Sequence, residues 1–180
     1  MNILFIEDAL LPSRGGVERV THTLFGVFEQ LGHEVFIAYH QCDCAEVPAC
    51  KKLRLPKSQE KDILYMTISK YIVERAIQMV IVQSYYDKTY QVVYGKLKAD
   101  ISGLRMIACL HCNPDIWVNK NRWGCTFVDI YLKELLRSVF LSCIRNKWKE
   151  QITGMYKIVD KFVLLSPHFI DDFKRLYRVD

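Results

Sequence analysis

Two glycines, Gly15 and Gly16, stand between a short apolar run, Ile3 to Ile6, and a helical pattern that begins at Val17. Neither has a Cβ, so each can take a positive φ and let a ligand approach its backbone closely. The free N–H groups of the helix start, at the positive end of its dipole, suit a phosphate. Adjacent glycines serve equally as the geometry of a plain strand-to-helix turn, and the pair alone leaves both readings open. A second candidate is His111, which follows the apolar run 104–110. It can bond a sugar hydroxyl or a phosphate, or be a satisfied loop histidine. Asn113 and Asp115 add polar groups beside it, and Pro114 stiffens the turn.

Cysteine and histidine cluster twice, as Cys109, His111, Cys112 and Cys125, and as His40, Cys42, Cys44 and Cys50. Structural zinc uses two well-spaced ligand pairs. Here one cysteine lies inside an apolar run and the second set is irregular, so packing thiols are the better account. Another chemical surface is the stretch from about 128 to 154. Leu132, Leu135, Leu136, Val139, Phe140 and Trp148 alternate there with Lys133, Arg137, Arg145, Lys147 and Lys149. Such a helix can lie on an anionic membrane, or pack its apolar side on a sheet.

These residues need a scaffold, and the periodicity supplies one. Strands are expected at 2–7, 34–40, 51–55, 79–83, 104–110 and 161–165. Helices are expected at 17–31, ended by Gly32, and at 58–78, 88–99 and about 128–154. A last helix opens at Ser166-Pro167, with Ser as N-cap and Pro at its first position. Strands alternating with helices give a mainly parallel sheet covered on both faces. The first strand should lie centrally, beside 79–83. Ligands of such sheets sit outside the C-terminal strand ends, near the switch in strand order. The loops there are 8–16, 40–44, 84–87, 111–115 and 166–168.

The chain has 180 residues and is 51% hydrophobic, enough for one domain with a real core. No apolar run reaches the ~18 residues of a membrane-spanning helix. Glu7 and Asp8 break the N-terminal apolar stretch and no basic segment precedes it, so a signal peptide is not expected and a cytoplasmic location is. Seven cysteines, an odd count, argue for reduced thiols. Residues 1–50 carry two basic and seven acidic side chains, and residues 51–180 carry 23 basic and 13 acidic. That basic portion suits an anionic partner, such as the inner face of a membrane. No nucleic-acid module is visible, and G-x-G-x-x-G is missing from the first loop, which disfavours a dinucleotide oxidoreductase.

Taken together, the strand Asn2–Glu7, the loop Pro12-Ser13-Arg14-Gly15-Gly16-Val17-Glu18-Arg19, His111 with Pro114, and the run Val159 to Ser166 before a helix resemble the N-terminal domain of a retaining GT-B glycosyltransferase of family 4. The resemblance covers nearly the whole chain. It implies an α/β fold, a Rossmann-like three-layer α/β/α sandwich with a mainly parallel sheet, forming one half of a GT-B enzyme. It implies a nucleotide-sugar donor whose diphosphate approaches Gly15 and Gly16, with His111 as the catalytic residue near the transferred sugar. Arg14, Tyr85, Asn113 and Ser166 are then acceptor-side candidates, for a glycan or lipid-linked acceptor in surface polysaccharide synthesis. No metal, cofactor or nucleic acid is implied. The family's basic pair and sugar-binding glutamates belong to a C-terminal donor domain, expected in cis or in trans beyond Asp180, without which the chain should be inactive. The other class of reading is a non-catalytic subunit that recruits an enzyme to a membrane.

Overall fold

The computed structural model describes residues 1–41, 43–56, 60–111 and 146–179. Six strands, β1 (Asn2–Ala9), β2 (Glu34–Gln41), β3 (Lys52–Arg54), β4 (Met79–Val82), β5 (Arg105–Leu110) and β6 (Lys161–Leu164), form one sheet in the order β3-β2-β1-β4-β5-β6. Every neighbouring pair is parallel. As expected, β1 is central. Phe5 lies opposite Ile37 on one side and Ile81 on the other. Ile3 to Ile6 are at most 1% exposed, which is why this stretch reads as an unbroken apolar run and not an alternating one.

Helices α1 (Gly16–Gln30), α2 (Lys61–Glu74), α3 (Lys88–Asp100), α4 (residues 146–158) and α5 (Ile170–Tyr177) cover the sheet. One face of β1, through Ile3 and Phe5, packs with Phe25 of α1, Val35, Ile37 and Ile81. The other, through Leu4 and Ile6, packs with Leu64 and Ile68 of α2, Val93 and Leu97 of α3, Ile152 and Met155 of α4, and Phe173 of α5. Among the described residues no helix is long and apolar enough to cross a membrane. The part of the expected basic helix from 128 to 145 lies outside the described residues.

Two helices end by the same reversal. After α1, Gly32 has φ +80, its N–H donates to the Glu29 carbonyl, and the His33 N–H donates to that of Phe28. After α2, Ala76 has φ +47, its N–H donates to Val73, and the Ile77 N–H donates to Ile72. Both are Schellman closures. The expected helix 58–78 is therefore too long. It runs from Lys61 to Glu74, because Ala76 turns left-handed and Ile77 folds back onto Ile72, both buried. The left-handed alanine costs roughly 1–2 kcal/mol, a cost that apolar contact offsets. Asp87 starts α3 by accepting from the Thr89 and Tyr90 N–H groups. Ser166 caps a 3-10 turn, Pro167–Phe169, and not α5 itself, which begins at Ile170.

Candidate functional site

The chain runs outward from β1 through β2 to β3, then returns to β4 on the other side of β1. The loops leaving β1 and β4 therefore diverge, and the ligand crevice of such sheets is the one where the strand order reverses. Alternation decides which side chains face it from the α1 side. On β1 they are Ile3, Phe5 and Glu7; on β4, Met79, Ile81 and then Gln83; on β5, Ile107, Cys109 and then His111. Three neighbouring strands thus change from apolar to polar at their C-terminal ends.

Glu7 is 0% exposed and Gln83 3%. The Gln83 N–H continues the ladder by donating to the Ile6 carbonyl, which holds its side chain beside that of Glu7. His111 is half-buried and its Nε2 bonds to Gln83 Oε1. A carbonyl oxygen only accepts, so Nε2 carries the proton and Nδ1 is the acceptor. Neither carboxyl oxygen of Glu7 has a hydrogen-bond partner, and the same holds for Gln83 Nε2 and Ser84 Oγ. Burial pushes the Glu7 carboxyl up to about 8; the Thr21 hydroxyl opposes this, and the charges of Glu18 and Asp8 add to it. Burial also lowers the His111 imidazole below its ordinary value, against the pull of Glu18. The site thus holds a neutral carboxyl and a neutral imidazole at pH 7.

The glycine loop differs from its expected geometry. Neither glycine has a positive φ; Gly15 is extended, at φ −170, which any residue adopts. The Glu18 carboxylate, one turn into α1, bends back over Gly15, and a Cβ there would lie 2.5 Å from its Oε2. A Cβ on Gly16 meets nothing within 4 Å. The backbone at Gly16, the first residue of α1, is open. Gly16→Val should accordingly change unfolding free energy by less than about 0.5 kcal/mol while filling the approach. Thermal melting and calorimetric titration with UDP check this, and a large loss of Tm would show that Gly16 serves the fold.

A second polar cluster lies across the β1 and β2 ends. Asp8 Oδ1 accepts from the Tyr85 hydroxyl and, at 3.1 Å, from Gln41 Nε2. Arg14 Nη1 donates to Gln41 Oε1 at 3.1 Å. Tyr85 stacks on Tyr90 with ring centroids 4.7 Å apart, and His40 lies 4.7 Å from Tyr85 and bonds to the Tyr90 hydroxyl. Tyr85 has φ +65, a strained conformation for a bulky side chain that costs roughly 1–3 kcal/mol. Burial and Asp8 hold its phenol protonated. Burial lowers the His40 imidazole.

No family model and no curated protein matches this sequence. Among solved structures, an alpha-glucosyltransferase in complex with UDP and a 13-mer DNA containing a central A:G mismatch aligns with a TM-score of 0.51 at 12% identity, over 95% of this chain and 38% of its own. The fold is a Rossmann-like GT-B half. An alpha-glucosyltransferase in complex with UDP and a 13-mer DNA containing an HMU base aligns over 67% of this chain and 33% of its own, at 17% identity and a TM-score of 0.44. An alpha-glucosyltransferase in complex with UDP aligns over 67% and 31%, at 16% identity and 0.44. This chain therefore spans about 38% of the length of the first of them.

Within the GT-B half, Gly15, Gly16, Arg14, Tyr85 and His111 all lie at the C-terminal edge of the sheet, around the crevice. Ser166 does not join them. It follows Leu164 on the opposite sheet face, its hydroxyl accepts from the His168 N–H, and it lines a separate concavity of about 410 Å³ with Phe162 and Phe173. Asn113 lies outside the described residues, as do Cys42, Cys112 and Cys125. Cys44 is packed in the core, Cys50 is exposed, and burial pushes the Cys109 thiol up to about 11. The described residues bring no three His, Cys, Asp or Glu side chains together as a metal site. Glu7, Gln83, Asp8 and Glu18 join the candidate site on geometry that spacing alone did not single out.

Proposed function

We propose that this GT-B half is the acceptor-side domain, residues 1–180, of a glycosyltransferase that uses a nucleotide-sugar donor. It acts with retention, in the manner of family 4, on a glycan or lipid-linked acceptor of surface polysaccharide synthesis. The observation that carries the reading is the open backbone at Gly16 beside the buried polar row Glu7, Gln83 and His111, at the strand-order reversal. The helix start at Gly16 offers N–H groups and a positive dipole end to a leaving diphosphate. His111 stands where the transferred sugar would lie and, neutral, can accept from a hydroxyl through Nδ1. No metal is required. The cations that grip the diphosphate come from a second, C-terminal domain.

The experiment supplies that domain. The chain alone should release no sugar from UDP-glucose, since stabilising the leaving group takes both sides of a closed cleft. Joined to a GT-B donor domain it should turn over. Acceptors to compare are a lipid-linked glycan, a polysaccharide and duplex DNA, because the first structural neighbour holds DNA. Transfer to DNA alone would replace the acceptor class. Turnover by the isolated chain at an enzymatic rate would overturn the two-domain reading. Binding of a donor domain without turnover on any acceptor would favour a non-catalytic subunit.

The excess of basic residues in 51–180 supports a peripheral membrane contact. Vesicle sedimentation should show binding to anionic vesicles that weakens with salt. Equal binding to neutral vesicles would count against it.

A further inference from the structure

The row at the crevice floor has more hydrogen-bonding capacity than the protein uses. Both Glu7 oxygens, Gln83 Nε2 and Ser84 Oγ are buried and have no partner. Folded proteins rarely leave such groups unmet, and here Glu7 near the end of β1 and Gln83 just past the end of β4 do so side by side, at the ligand edge of such sheets. The local charge says what kind of ligand fits. Burial holds Glu7 protonated, the charges of Glu18 and Asp8 adding to this, so the floor presents neutral donors and acceptors. A diphosphate would meet no cation among Glu7, Gln83 and His111. A neutral ring bearing hydroxyls would find both donors and acceptors.

We propose that Glu7 and Gln83, with His111, form a subsite that reads hydroxyls of a neutral sugar ring, while the diphosphate of the same ligand lies above Gly16. The assignment rests on the donor reading above. Gln83 supplies Nε2–H as a donor because its Oε1 is taken by His111, and His111 supplies Nδ1 as an acceptor. Glu7 supplies a carboxyl O–H as long as it keeps its proton. Glu7 is a specificity-determining residue in this scheme and takes no part in bond breaking.

The titratable groups facing Glu7 among the described residues are Glu18 of α1, Asp8 on its own strand, Tyr39 opposite it on β2 and His111 after β5. Burial holds Tyr39 above its ordinary value and His111 below, so neither changes charge between pH 7 and 9. A change over that interval that is present in the wild type and absent in Glu7→Gln reports Glu7, since titration of the ligand is common to both.

The test measures the affinity of the whole chain for UDP and UDP-glucose by calorimetry at pH 7 and 9. Glucose should strengthen binding about tenfold over UDP at pH 7, and most of that gain should vanish at pH 9. Glu7→Leu should abolish the gain at both pH values with UDP affinity unchanged. Glu7→Gln, which keeps a donor and an acceptor without a titrating proton, should retain the gain at both. A gain that survives Glu7→Leu, or UDP binding with no glucose-dependent gain, overturns the subsite and leaves the donor reading standing. If neither compound binds the chain by itself, the grip on the diphosphate lies wholly in the second domain, as the donor reading allows. The subsite is then decided by methyl α-glucoside, which must shift the His111 ring resonances in the wild type and not in Glu7→Leu.

Discussion

Glu7→Leu should stabilise the chain by about 4 kcal/mol at pH 8 and by less than about 1 kcal/mol at pH 5. The wild-type carboxyl is raised from 4.5 to about 8, chiefly by burial, with the charges of Glu18 and Asp8 adding to it and the Thr21 hydroxyl opposing it. The folded state therefore keeps its proton where the unfolded state has lost it. Below pH 4.5 both states are protonated and Glu7 adds no charge cost. Between about 4.5 and 8 stability falls by about 1.4 kcal/mol per pH unit, and above 8 the full cost persists. Leucine removes this slope and fills the same space with apolar surface. At pH 8 the gain corresponds to roughly 8–16 °C in Tm for a domain of this size. Urea unfolding at pH 5, 7 and 9 checks it. An equal difference between wild type and variant at all three values would mean that Glu7 ionises normally. A residue that weakens the fold at working pH, at the ligand edge of the sheet, is what a site retained for binding looks like.

His111→Ala, in the chain joined to a donor domain, should lower kcat about a hundredfold and change KM for the donor by less than about threefold. The proposed contact is to the transferred group and strengthens as charge develops, so its loss appears in the rate. The fold should survive, because His111 is half-buried beyond the end of β5 and belongs to neither apolar cluster. The expected stability loss, about 1 kcal/mol, comes from leaving Gln83 Oε1 without its partner. An unchanged kcat would remove His111 from the chemistry.

Much of the scaffold was legible because the apolar runs are short, dense and regularly interrupted. Ile3–Ile6 and Met79–Val82 announce central strands, and Gly32 announces the end of α1. Ala76 did not announce the end of α2, because a left-handed alanine is chosen by tertiary closure onto Ile72 and not by propensity. In the site, Gly16 and His111 could be named from their places after strands. Glu7 could not, although the signal was present: each of ILFI-E, MVIV-Q and IACL-H is an apolar strand that ends in one polar residue. Only strand order and register show that these three endings are neighbours. Likewise the Tyr85–Asp8 bond joins residues 77 positions apart, and no local pattern encodes it. The bend of Glu18 over Gly15 was hidden for another reason. It is a side-chain conformation, and sequence spacing places only its Cα.

The central place of β1 also constrains how the protein is made. β1 acquires β2 on one side after a single helix, but its other neighbour, β4, lies about 70 residues further along the chain. At ribosomal speeds of about 5–20 residues per second, the open edge of Ile3–Ile6 waits roughly 4–15 s for its native partner. During that interval an apolar strand edge is a template for pairing with another nascent chain. Substitutions in β4 that delay pairing, such as Val80→Thr or Ile81→Thr, will then lower the yield of soluble protein during synthesis by more than their effect on equilibrium stability accounts for. A chaperone that shields extended apolar segments will restore much of the difference.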